Sequence, residues 1–294
     1  VFQSFLVTAE RPQLGLAVTV AAGVTNMALD FVFIAVFHWG IVGAAAATAA
    51  SQLIGGFVPL VYFFRPNTSR LRLVKTRFNA RILGKTCING SSELMTNISM
   101  SLVNILYNFQ LMRYIGEDGV AAYGIIMYVS FIFAAIFIGY SIGSAPIIGY
   151  HYGAGNHAEL KGLFRKSLWL ITLWNIILTA LAVLTAQPLA KIFVGYDAGL
   201  TALTRRALCL YSLSFLVMGF NIFGSAFFTA LGNGVVSAAI SFLRTLLFQV
   251  AAVLVLPLFL GIDGIWLAIV AAELLALMVT AVFFIMKRDY YHYA

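Results

Sequence analysis

Stretches of apolar residues, each long enough as a helix to cross about 30 Å of hydrocarbon, recur from one end of this sequence to the other. No other feature constrains the fold as strongly. Inside a bilayer every backbone N–H and C=O must be satisfied within the protein, so such runs fold as packed transmembrane helices. Composition agrees: of 294 residues, 62% are hydrophobic and only 10% charged, against about 25% charged in soluble domains. The expected fold class is an all-α polytopic membrane protein. Residues 1–9 read as the end of one helix that exits at Glu10-Arg11-Pro12. Eight complete spans follow, near 13–38, 41–64, 87–115, 119–148, 167–193, 201–230, 235–259 and 264–286. Gly-rich or acidic turns separate several of them, such as Gly116-Glu117-Asp118-Gly119 and Gly232-Asn233-Gly234.

The net charge of +8 could signal nucleic acid or a membrane surface, and the positions of the charges decide between these. Thirteen of the 18 Lys and Arg lie in alternate loops: Arg11, seven in 65–86, three in 149–166, and Lys287 and Arg288 in the tail. The intervening loops carry Glu117, Asp118, Asp197 and Asp263. This is the positive-inside bias, so the basic loops and the C-terminus are expected to be cytoplasmic. Arg205-Arg206 is the one contrary pair. Cys87 and Cys209 fall in or beside apolar spans and suggest packing, with no disulfide framework. The first segment lacks the basic region of a cleavable signal peptide, and a chain opening with Val in mid-helix is expected to be a fragment.

An ungapped offset of 221 residues aligns the chain with itself. Phe2, Ser4, Thr8 and Ala9 fall on Phe223, Ser225, Thr229 and Ala230, and Gly40-Ile41-x-Gly43 falls on Gly261-Ile262-x-Gly264. Ala47, Ala50, Leu53 and Phe63 fall on Ala268, Ala271, Leu274 and Phe284. We read a duplication. The second copy holds six helices, an even number, so both copies enter the membrane the same way. Two parallel six-helix lobes related by a pseudo-two-fold are therefore expected, the first incomplete: its start would lie roughly 140 residues before Val1. The expected organisation is residues 1–64 as the remnant of the N-terminal lobe, 65–86 as a basic inter-lobe loop, 87–286 as the C-terminal lobe and 287–294 as the tail.

Four stretches carry a family resemblance. They are Asn26-Met27-Ala28-Leu29-Asp30 with Gly40-Ile41-Val42-Gly43 and Thr48-Ala49-Ala50-Ser51-Gln52; Gly149-Tyr150-His151-Tyr152-Gly153-Ala154-Gly155-Asn156; Gly90-Ser91-Ser92-Glu93 with Asn97, Ser99 and Tyr107-Asn108-Phe109-Gln110; and Ser241-Phe242-Leu243-Arg244-Thr245. In their order along the chain they resemble the MATE (multidrug and toxic compound extrusion) transporters, in particular their MepA-like bacterial branch. The resemblance implies a secondary active efflux pump in the bacterial cytoplasmic membrane. It would exchange small organic cations or drugs for H⁺ or Na⁺ by alternating access, binding no nucleic acid and using no ATP, cofactor or enzymatic chemistry, as a monomer in lipid. It also implies an ion-site aspartate on a first helix that these residues do not include.

Four ionisable residues sit well inside spans, Asp30, Glu93, Arg244 and Glu273, where each costs about 2.5–3.5 kcal/mol unless paired or in a watery cavity. Asn26 and Asp30 share a helix face, and Thr48 on the next span lies at a similar depth, about 10–12 Å below the outer surface. These hard oxygen donors suit Na⁺ or a shared proton, and the resemblance places the coupling ion there. A hydrogen-bonded helix clamp is the alternative. Their partners in the second copy are Leu247, Ala251 and Ile269. Glu93 and Arg244 are expected to pair in the C-terminal lobe, either structurally or, as the resemblance implies for Glu93, as a cation or proton site. Tyr107, Asn108, Gln110, Tyr140 and Glu273 are candidates for lining a cavity, the aromatics through cation–π contact. Three other readings stay open. A lipid-linked oligosaccharide flippase of the same superfamily would carry more cationic residues in its cavity. A membrane-embedded enzyme would need clustered catalytic groups, and a channel fits a two-lobe repeat poorly.

Overall fold

The computed structural model describes residues 2–65 and 78–293, and among these every regular element is helical. Two compact units divide the chain, Val1–Asn79 and Ala80–Ala294. The first holds α1 (Phe2–Thr8), α2 (Pro12–Asp30), a π-helical turn (Phe31–Val36) and α3 (Gly40–Phe64). The second holds α4 (Ala80–Tyr114), α5 (Glu117–Gly153), α6 (His157–Val194), α7 (Ala198–Ser212), α8 (Phe215–Ala230), α9 (Gly234–Phe242), a π-helical turn (Leu243–Phe248), α10 (Gln249–Leu260) and α11 (Ile262–Tyr291). Among the described residues, six helices or continuous helical runs are long and apolar enough to cross a membrane, and α7 with α8 makes a seventh if that bent pair is one span. The eighth expected span, α4, has ample length at 35 residues but carries Asn89, Glu93, Asn97, Asn104, Asn108 and Gln110.

Helices extend beyond the expected spans because hydropathy marks the hydrocarbon, whereas caps mark helix ends. The Asn156 side chain accepts from the Glu159 amide and starts α6 ten residues before the apolar run. Asp197 and Asn233 cap α7 and α9 in the same way. Helix α4 begins at Ala80, so Arg81 and Lys85, expected in the inter-lobe loop, are helical; residues 66–77 of that loop lie outside the described residues. The tail expected from 287 is helical to Tyr291. There His292 adopts φ 55°, and the buried Tyr293 donates its hydroxyl to the Phe284 carbonyl at 2.8 Å. The expected single span 201–230 is bent by 49° between α7 and α8.

Loop contacts within the second unit sort by end. At one end the Gly234 position lies against the Ile88–Asn89 backbone, the Asn233 amide donates to the Tyr291 hydroxyl at 2.9 Å, and the His157 and His292 rings meet at 4.9 Å. At the other, Arg206 pairs with Asp263. The contrary basic residue thus has an acid beside it, in the set of loops that carries the acids.

The repeat is visible in backbone geometry. Gly40 and Gly261 both have left-handed φ, 55° and 57°, which a side chain would strain. Their partners Gly43 and Gly264 both sit where a Cβ has no room, 2.9 Å from Phe33 Cβ and 2.5 Å from the Leu256 carbonyl oxygen. From there one inward stripe runs along each helix in matching register. Ala47, Ser51 and Pro59 on α3 correspond to Ala268, Ala272 and Thr280 on α11, all buried. Small residues at these positions let neighbouring helices approach closely.

Candidate functional site

In the first unit, Asp30 ends α2 and the π-helical turn follows it directly. The turn is held by Phe37 N–H donating to the Val32 carbonyl at 2.9 Å and by stacking of Phe33 on Trp39, ring centres 5.1 Å apart. Such turns interrupt the regular ladder and recur at functional sites. Asn26 lies one helical turn before Asp30. Asp30 Oδ1 and Asn26 Nδ2 are both shielded from solvent, and among the described residues neither has a hydrogen-bond partner. Asn26 also lines a cavity of about 470 Å³ with Thr19, Ser51, Gln52, Gly23 and Gly56, between α1, α2 and α3. Thr48 is exposed and donates to the Ala44 carbonyl of its own helix at 2.9 Å. Asn26 and Asp30 thus stand one helical turn apart on α2, with Asn26 alone of the two lining the cavity, while the Thr48 hydroxyl proton is used locally. Ser51 and Gln52, which lie in the 48–52 stretch of the resemblance but are not among its expected ion ligands, are polar residues of the cavity. The inward register Gly43, Ala47, Ser51 was the signal for the first of them.

In the second unit, Arg244 stands in the other π-helical turn. Its carboxylate partner is Glu273, in place of the expected Glu93. Arg244 Nε lies 2.9 and 3.0 Å from the two Glu273 oxygens and Nη2 lies 2.8 Å from Oε1. Helix register explains the correction. Gly234 lies level with Asn89, and further along Gln110 Nε2 donates to the Val253 carbonyl at 3.2 Å, so α4 runs parallel to α9 and α10. Counted from that level, Glu93 is four residues along and Arg244 ten, an axial gap of about 9 Å. Glu93 is exposed. Glu273 is wholly buried, and its Oε2 accepts from Asn221 Nδ2 at 2.7 Å. Asn221 Nδ2 also donates to the Glu273 carbonyl at 2.9 Å, and Asn221 Oδ1 accepts from the Thr280 hydroxyl at 3.0 Å. Asn221 and Thr280 gave no sequence signal, being ordinary polar residues on apolar helices.

The residues expected to line a cavity are placed variously. Tyr107 is buried and stacks on Tyr123 at 5.1 Å, and Gln110 is buried against α10. With Glu273, these belong to the packed interior of the unit rather than to the wall of an open cavity. Tyr140 is half-buried and donates to Ser167 Oγ at 2.7 Å, while Asn108 donates to the Asn104 carbonyl at 2.8 Å. Among the described residues no three His, Cys, Asp or Glu converge on a point where they could hold a metal ion.

Residues 94–255 match the family described as MatE. Over 289 residues the chain is 22% identical to multidrug export protein MepA of Staphylococcus saprophyticus, covering 98% of this chain and 63% of that protein. The chain thus spans less than two thirds of that relative's length. Its fold matches a crystal structure of MATE in complex with MaL6, with TM-score 0.89 and 21% identity, over 97% of this chain and 64% of that one. It matches a MOP superfamily transporter from Pyrococcus furiosus equally well, at TM-score 0.89 and 22% identity over 96% and 64%. For that protein, reverse polarity of the binding pocket is said to suggest a different function.

Proposed function

The chain belongs to the MatE family of transporters, and from that premise we propose that it serves secondary active efflux of small organic cations or drugs, coupled to inward H⁺ or Na⁺. It is a multi-pass membrane protein. In this reading it works by alternating access in a bacterial cytoplasmic membrane, with its C-terminus in the cytoplasm. Names of relatives such as multidrug export protein MepA support the substrate class.

One observation carries the coupling site: Asp30 Oδ1 and Asn26 Nδ2 are shielded and unpartnered one turn apart. A shielded carboxylate oxygen without a donor is unfavourable until a proton or cation reaches it. The Asn26 amide, equally free of partners, can turn its oxygen toward a cation. Ser51, Gln52 and Thr19 add oxygen atoms along the adjoining cavity. A single carboxylate neutralises one positive charge at a time. Arrival of the coupling ion therefore disfavours a second cation, the reciprocal linkage that exchange requires.

The test is uptake and release of a fluorescent organic cation in vesicles holding the purified protein, under imposed pH or Na⁺ gradients. Asp30→Asn is expected to abolish gradient-driven transport and to leave equilibrium binding of the dye within a few-fold. Normal transport by that variant would overturn the assignment of the coupling site to Asp30. Flipping of an anionic lipid-linked sugar fits less well, because the intramembrane guanidinium of Arg244 is already matched by Glu273.

A further inference from the structure

The 221-residue offset that pairs Gly40 with Gly261 also pairs Gly23 with Arg244, Gln52 with Glu273 and Pro59 with Thr280. In the first unit Gly23, Gln52 and Pro59 are walls of the 470 Å³ cavity. In the second, their counterparts Arg244, Glu273 and Thr280, joined through Asn221, form a closed network. The same place in the two repeats is thus open space in one and a guanidinium on a carboxylate in the other.

The second-unit arrangement has the form of a receptor with its ligand bound. Arg244 meets Glu273 side-on through Nε and Nη2, the forked geometry by which a planar guanidinium satisfies a carboxylate. The carboxylate is braced independently of Arg244. Asn221 fixes it at 2.7 Å, and Thr280 fixes Asn221 at 3.0 Å. Arg244 arrives from a π-helical turn, a local irregularity that aims this one side chain. Its counterpart Gly23 has nothing within 4 Å of where a Cβ would stand.

We propose that Glu273, braced by Asn221 and Thr280, is a binding site for planar guanidinium-type cations that Arg244 occupies in cis. Removing the Arg244 side chain would turn the closed network into a cavity like that of the first unit. An alkylguanidinium would fill it and meet the same two carboxylate oxygens, whereas a hydrated spherical cation matches neither the shape nor the fork.

Thermal unfolding of the purified protein with methylguanidinium chloride at low millimolar concentration tests this. Arg244→Ala is expected to unfold at lower temperature than the parent protein, and methylguanidinium to raise its midpoint saturably by about 2–4 °C. The same ligand should leave the parent and Arg244→Ala/Glu273→Gln unchanged, and NaCl at equal concentration should not substitute. Equal shifts in the double variant, equal shifts with NaCl, or no saturable shift would each overturn the proposal. Should Arg244→Ala fail to survive purification, methylguanidinium is added from solubilisation onward and the yield of monodisperse protein is read. No gain in yield over NaCl would overturn the proposal as well.

Discussion

Arg244 Nε lies nearly equidistant from the two oxygens of Glu273, at 2.9 and 3.0 Å, with the carboxylate wholly buried and the Arg244 side chain 14% exposed. Two charges taken out of water together tolerate burial, but one alone does not. Arg244→Gln and Glu273→Gln are each expected to destabilise the protein by about 3–5 kcal/mol in detergent unfolding, and the double variant to recover much of that loss. Glu93→Gln, at an exposed site, should lie within about 0.5 kcal/mol of the parent. Strict additivity of the two Gln variants would contradict the pairing.

Glycines divide into two classes by what surrounds them. A Cβ on Gly43 or Gly264 would meet Phe33 Cβ at 2.9 Å or the Leu256 carbonyl at 2.5 Å, so alanine at either is expected to lose about 1–3 kcal/mol. Gly23 and Gly56 lie inside helices with open space around them, and alanine there should gain about 0.5–1 kcal/mol. Denaturation midpoints of the four variants measure this. A loss at Gly56→Ala as large as at Gly264→Ala would refute the distinction.

Loop charge gives an expected sidedness. In a background with Cys87 and Cys209 replaced by serine, Asp289→Cys is expected to resist an impermeant thiol reagent in intact cells, and Tyr196→Cys to react. Both positions are exposed, so access to the aqueous phase decides the outcome. The reverse pattern would invert the assigned orientation.

The tail supplies a pH prediction. Tyr293 is buried against Phe164, Phe227 and Phe284 and donates to the Phe284 carbonyl. Burial, with neighbouring Tyr291 second, pushes its phenol well above the ordinary value of 10.0. The neutral form therefore belongs to the folded state. Its stabilising contribution is complete below pH 10.0 and is lost as pH rises from there toward the folded value. Tyr293→Phe should cost about 1 kcal/mol at neutral pH and make stability fall less steeply above pH 10.0. An unchanged alkaline limb would show that the ring is not buried in the folded protein.

The sequence by itself determined that the chain is helical and membrane-spanning, because the length and apolarity of a span are local properties. It also determined the duplication, which the matched angles of Gly40 and Gly261 and the matched crowding of Gly43 and Gly264 bear out in the backbone. Asn26 and Asp30 were legible as one face, since four residues make one turn. The tertiary structure alone decided what each intramembrane charge meets. Arg244 finds Glu273 because Gly234, lacking a side chain, packs against the backbone at Ile88 and Asn89 and fixes how far α9 is advanced along α4. One different turn of that register would move every facing residue by about 5.4 Å. The bend between Leu213 and Ser214, the two π-helical turns and the inward fold of Tyr293 were hidden for the same reason. Each depends on how neighbouring helices close on one another, and helix periodicity is silent about rotation and advance between elements distant in sequence.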